Sequence, residues 1–264
     1  MEKTVTLWRD TPGFCRETPT LDIYLPENRS SDIAVVILPG GGYGCRAPHE
    51  GEGYARFLNE HGIAAFVCQY RVYPHRFPLP LLDARRAIRY VRYHCAEFGI
   101  DPRKVYLMGS SAGGHLTALT CTYPEPLEFE GVDMIDRENY LPDGQILCYP
   151  VISFHDLNVT HVGSVQNLLE NTGCAIRSIL SPDLIAGRRT PKAFIWHTFD
   201  DAGVDVRNSL NYAARLRQVN VPVEMHLYPH GPHGMGLAEH DPHVKDWSAR
   251  MLAWLKYNDS NKEN

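Results

Sequence analysis

Three groups of residues that together could activate a serine follow one another along the chain. They are Gly109-Ser110-Ser111-Ala112-Gly113, then Asp200-Asp201, then His230-Gly231-Pro232-His233-Gly234. A serine hydroxyl is a poor nucleophile until a base removes its proton, and an imidazole acting as base needs a carboxylate to hold its tautomer. Of the two serines only Ser111 has glycine two residues to either side. In a tight strand-to-helix turn the flanking positions have no room for side chains, and the hydroxyl is pushed out of the bend. Alone, the string is equally what a serine-capped glycine turn would show. A fourth group, Pro39-Gly40-Gly41-Gly42-Tyr43, could turn backbone N–H groups toward a small volume. With the N–H of Ala112, directly after the serine, it would form an oxyanion hole. As a phosphate loop it fails, because no Gly-Lys-Ser/Thr follows and the spacing is wrong for G-x-G-x-x-G.

The surrounding elements place these groups together. Residues 105–108 read as a buried strand and 115–120 as a helix, the context in which the serine motif has meaning. Continuously apolar runs at 33–38 and 63–68 are strands buried on both faces. Residues 145–150, 193–197 and 223–228 supply further strands, and helices are expected at 50–61, 81–98, 206–218 and 245–257. Residues 4–8 and 21–25 alternate and suggest an antiparallel pair at a sheet edge. Residues 155–190 carry helical pieces at 162–171 and 174–180 and read as a small cap. Strands alternating with helices predict a mostly parallel, about eight-stranded sheet with helices on both faces, in one domain spanning 1–264. Ligands then bind beyond the carboxyl ends of the strands, where all four groups fall. The arginines of the helix at 81–98 (Arg85, Arg86, Arg89, Arg92) read as a solvated face.

Composition narrows the partners. The 264 residues carry 26 Lys+Arg against 31 Asp+Glu, a net charge of −5 with no basic block, which argues against nucleic acid. The start of the chain is polar and no apolar run reaches membrane length, so a cytoplasmic protein without membrane contact is expected. Seven cysteines stand without metal-type spacing, and Cys68, Cys121 and Cys148 lie inside apolar runs, as small buried hydrophobes do. Cys45, beside the glycine loop, reads as a bystander thiol. The histidines at 226, 230, 233, 240 and 243 lack H-E-x-x-H, so neither a metal nor another cofactor is expected. His115 reads as a packed histidine.

The stretches LPGGGYG, YRVYP with PLPLLDARRAIRYVR, MGSSAGGHL, SPDL, WHTFDDAGV and YPHGPHGMGL, from about 35 to 237, carry a resemblance. The chain resembles α/β-hydrolases of the esterase/lipase group, close to small carbohydrate esterases of the acetylxylan type. The resemblance implies Ser111 as nucleophile, Asp201 as acid, His233 as base, and Gly41, Gly42 and Ala112 as the oxyanion donors. The family pattern puts the acid four residues after a strand-end histidine (His197) and three before a valine (Val204), which selects Asp201 over Asp200. Its histidine is followed by glycine and precedes the last helix, which selects His233 over His230. Tyr43, Arg71 and Tyr73 are candidate substrate-binding residues, as pocket wall or as pins of the loops. The expected activity is hydrolysis of short acyl esters, acetyl foremost, of a small polar alcohol such as an acetylated xylo-oligosaccharide. A serine peptidase acting on small peptides is the alternative within hydrolases, and a non-catalytic binding protein of the same fold is the alternative outside them. The expected partner is a small-molecule ester, and the sequence is compatible with a homo-oligomer.

Overall fold

Apolar runs with no polar interruption become the centre of the sheet. In the computed structural model, which describes residues 3–13, 17–170 and 173–260, β3 (Ala34–Leu38), β4 (Ala64–Gln69), β5 (Val105–Ser110), β6 (Gly144–Cys148) and β7 (Ala193–Thr198) are buried almost throughout. The alternating segments form one edge: β1 (Lys3–Thr6) pairs antiparallel with β2 (Thr20–Tyr24), and β2 antiparallel with β4. β8 (Val223–Tyr228) forms the other edge. The order is β1-β2-β4-β3-β5-β6-β7-β8, parallel from β4 onward, so the sheet is eight-stranded and mostly parallel as expected.

Alternation along each strand feeds two helical layers. Val35 and Ile37 of β3 pack toward α1 (Glu52–Glu60) and α9 (Asp246–Ser260), through Tyr54, Leu58 and Trp247. Ala34, Val36 and Leu38 point the other way, toward α2 (Leu79–Tyr93) and α4 (Ser111–Thr122). On that second face Leu147 of β6 and Ile195 of β7 meet α8 (Arg207–Gln218). Every residue of α4 is buried, which suits the element that carries the serine. The helix expected over 81–98 begins at Leu79 and is broken at His94, leaving the short α3 (Cys95–Phe98) ended by Gly99 at φ +63. Residues 155–190 link β6 to β7 through α5 (Val162–Leu168), α6 (Cys174–Ile179) and α7 (Pro182–Ile185). The expected helix at 162–171 ends earlier, and residue 171 lies outside the described residues.

The arginine face of α2 corrects the sequence reading. Arg85, Arg86, Arg89 and Arg92 are buried rather than solvated. The acidic segment between α4 and β6 wraps over them: Arg86 meets Asp133 at 2.6 Å and Asp136 at 2.8 Å, Arg89 meets Glu130 at 2.7 Å, and Arg92 meets Asp143 at 2.9 Å. Arg85 bonds the Tyr123 carbonyl at 2.7 Å and stacks over the Tyr140 ring at 4.0 Å. Helical spacing shows which face a side chain occupies but not what later covers it. Among the described residues no helix is long and apolar enough to cross a membrane.

Candidate active site

The turn from β5 into α4 is built by steric exclusion. A Cβ on Gly109 would stand 2.2 Å from the Gly113 carbonyl oxygen, and one on Gly113 would stand 2.0 Å from that of Leu38. Both contacts are closer than any real Cβ tolerates, so only glycine lets helix and strand approach this far. Ser111 sits between them at φ +52, a left-handed conformation that non-glycine residues adopt only where their surroundings impose it. Its hydroxyl is thereby thrust out of the bend at the carboxyl end of the sheet, and α4 begins at the same residue.

The loops after β7 and β8 bring the partners. His233 Nε2 lies 2.8 Å from Ser111 Oγ, and His233 Nδ1–H donates to Asp201 Oδ2 at 2.7 Å. With the carboxylate accepting the Nδ1–H hydrogen bond, Nε2 is left unprotonated as acceptor for the serine hydroxyl. The rival residues also pair, but with each other: His230 Nδ1 meets Asp200 Oδ2 at 2.8 Å on an exposed rim. Asp201 Oδ1 accepts the Gly203 and Val204 amides at 2.8 and 2.9 Å. Burial opposes ionisation of Asp201, yet hydrogen bonds from His197, His233 and the Val204 amide outweigh it and hold the carboxyl well below the usual range. It is therefore an anion at any working pH.

The glycine loop after β3 abuts this group. A Cβ on Gly40 would lie 3.0 Å from Ser111 Cβ, so the loop backbone runs directly past the serine. Gly41 (φ +128) and Gly42 (φ +61) have backbone conformations that glycine adopts freely, and among the described residues no protein group accepts their N–H. Ala112, second in α4, has an amide with no acceptor inside the helix. The four sequence groups thus come together at one place: the Ser111 hydroxyl, the His233 imidazole and the Asp201 carboxylate in one line of hydrogen bonds, with the backbone of the glycine loop running past the serine.

Two of the three candidate substrate-binding residues are corrected by burial. Tyr43 is 0% exposed, and its hydroxyl donates to His115 Nδ1 at 2.7 Å. His115 Nε2–H in turn donates to the Leu180 carbonyl at 2.9 Å, and the ring stacks on Phe154. Burial pushes the His115 pKa down to about 4, so the ring is neutral. Arg71, also 0% exposed, is locked to Asp83 by bonds of 2.6 and 2.8 Å. Both pin loops from inside and neither can touch a ligand. Tyr73 is half exposed beside the glycine loop, its amide donating to the Tyr43 carbonyl at 2.8 Å.

Two further histidines belong to the site. His197, fully buried, donates Nε2–H toward Asp201 Oδ2 at 3.2 Å and the Val204 carbonyl at 3.0 Å, while its Nδ1 accepts from Ser209 at 2.8 Å. The signal for it was present as a polar residue closing an apolar strand four positions before the acid. His161 caps α5, its Nδ1 accepting the Ser164 amide, and its Cε1 would lie 3.7 Å from a Cβ on Gly42. Burial, then the charge of His233, lowers its pKa. Nothing in its sequence neighbourhood pointed to this place. Among the described residues no group of three or more His, Cys, Asp or Glu could hold a metal ion.

The family model BD-FAE matches residues 21–216. The chain belongs to the BD-FAE family. A solved structure is similar over nearly all of both chains: the acetyl ester-xyloside bifunctional hydrolase from Caldicellulosiruptor lactoaceticus is 40% identical, with TM-score 0.91 and coverage of 97% of this chain and 96% of that one. The acetylxylan esterase of Xylanibacter ruminicola is 33% identical over 251 residues, 91% of this chain and 48% of the relative. Endo-1,4-beta-xylanase B of Butyrivibrio fibrisolvens is 33% identical over 235 residues, 87% of this chain and 36% of the relative. This BD-FAE chain therefore spans between a third and a half of the length of these two curated relatives, and its fold is that of the α/β hydrolases.

Proposed function

We propose that the chain is a serine carboxylic-ester hydrolase that removes short acyl groups, acetyl foremost, from a small polar alcohol such as an acetylated xylo-oligosaccharide. The observation that carries this reading is the pair of bonds from Asp201 through His233 to Ser111, at 2.7 and 2.8 Å, beside the free amides of Gly41 and Gly42. His233 Nε2 takes the Ser111 proton as Oγ attacks the ester carbonyl carbon. The carbonyl oxygen becomes an oxyanion facing the amides of Gly41, Gly42 and Ala112, and the adjacent Asp201 carboxylate stabilises the imidazolium. Collapse breaks the bond to the alcohol, which leaves with the proton from His233. Water then repeats the sequence on the acyl-serine and regenerates the hydroxyl.

Ser111→Ala should abolish hydrolysis of p-nitrophenyl acetate, a loss of about 10⁴ or more in kcat, while leaving the melting temperature nearly unchanged. Retained turnover rejects the nucleophile. The acetyl preference is supported by the acetyl-ester relatives and by the modest length of the insert at 155–190. An acyl-chain series on aryl esters should peak at two to four carbons, and a maximum at eight or more would contradict it.

A further inference from the structure

A carboxylate lies buried beneath the site and takes no part in the mechanism above. Glu50, 3% exposed, stands at the end of the short turn before α1. Its Oε2 accepts the Gly40 amide at 2.8 Å, and its Oε1 accepts the Tyr149 hydroxyl at 2.6 Å. Tyr149, just beyond β6, is itself buried and held at φ +37, and its ring meets that of His233 edge-on at 5.1 Å. The Tyr149 oxygen also accepts the Gly236 amide at 2.9 Å, from the loop that carries His233. His49, next to Glu50, reaches the same loop, with Nε2 2.9 Å from the Gly234 carbonyl oxygen. One chain of bonds thus runs from the glycine loop to the histidine loop, under Ser111.

This arrangement has a chemical consequence. By accepting the Gly40 N–H, Glu50 fixes that peptide where the loop runs past the serine, and the two amides that follow have no acceptor among the described residues. By holding the Tyr149 hydroxyl, it fixes the ring on which His233 leans. A bond to a buried charged acceptor is among the stronger ones, and its partners are left unsatisfied when it is removed.

We propose that Glu50 and Tyr149 are positioning residues, a bridge that keeps the oxyanion loop and the His233 loop in mutual register for acyl transfer. The proposal rests on the esterase reading above. Tyr149→Phe keeps the ring and removes all three bonds of the hydroxyl, to Glu50, Gly236 and Tyr54. Glu50→Gln keeps the shape and one acceptor. Each should lower kcat on p-nitrophenyl acetate by roughly 10- to 100-fold with KM within about twofold, because the loss falls on transition-state geometry and not on uniform binding. The double variant should be little worse than the poorer single one, as expected of residues acting as a unit. Amide exchange at Gly40 and Gly236, which needs no turnover, should accelerate in Tyr149→Phe. Unchanged exchange, additive losses in the double variant, or kcat within twofold of the parent would each overturn the bridge. Absence of turnover and of fluorophosphonate labelling at Ser111 in the parent protein would strike the esterase reading instead, whatever the exchange data showed.

Discussion

Asp201 uses all of its acceptor capacity: Oδ1 holds two amides and Oδ2 takes N–H groups from both His197 and His233. Four donors fix the carboxylate plane, so the bond to His233 does not depend on a freely rotating side chain. Asp200, one residue earlier, points to an exposed histidine and has no such frame. Asp201→Asn should therefore lower kcat by about 10³ to 10⁴, and Asp200→Asn should leave it within about twofold, read by steady-state kinetics on p-nitrophenyl acetate. Equal losses at both positions would show the assignment to be mistaken. At this scale the site was legible because its constraints are local. Gly109 is demanded by the Gly113 carbonyl within the turn and Gly113 by the Leu38 carbonyl of the adjacent strand, and the four-residue step from His197 to Asp201 runs from the end of β7 into the loop that follows it. For Tyr43 and Arg71 the sequence left pocket wall and loop pin both open, because the choice depends on partners on other elements: His115, 72 residues on in α4, and Asp83 in α2.

Among the elements, α2 shows how far a charge pattern can mislead. Its arginines occupy the face that spacing predicts, but the segment between α4 and β6 folds back and supplies carboxylates and carbonyls to each of them. Asp136 has a fully buried side chain against Arg86. Arg86→Met would remove the guanidinium bonded to that carboxylate and leave only Arg89, at 3.9 Å. Breaking a buried pair from one side costs about 3–5 kcal/mol, which should appear as a large fall in the urea midpoint. Arg103→Met, which removes a solvent-exposed guanidinium beside Asp101, should barely move the midpoint in the same measurement. Comparable shifts for the two would show that the α2 belt is not a buried network. The strands were easier to read than this helix, because a run such as Val35-Val36-Ile37 has one physical destination, while an arginine has two.

Across the whole molecule, stability should depend on pH in two windows whose signs follow from protonation. His115 is held neutral by burial down to about pH 4, whereas in the unfolded chain it takes a proton near its ordinary value of 6.5. Between those values the unfolded state binds more protons, so stability present above pH 6.5 is lost as pH falls, on the order of 2–3 kcal/mol by pH 4. Asp133 and Asp201 are held below the ordinary carboxylate value, Asp133 chiefly by Arg86 and Asp201, against its burial, by His197 and His233. Their contribution is present above about pH 4 and is lost as pH falls further. Urea midpoints measured from pH 7 to pH 3 should decline in that order, and a midpoint that rises on acidification would contradict both windows. The sheet order was legible from alternation and run length. The joining of one loop to another through buried side chains was not, since it depends on contacts that exist only after folding.

The Tyr43–His115–Leu180 line has a consequence for divergence. Its last acceptor is a main-chain oxygen and not a side chain. Within the insert, residue identities can drift while the anchor survives, provided the polypeptide keeps its path past position 180. The insert's outer surface can then change while the glycine loop, anchored at Tyr43, keeps its place.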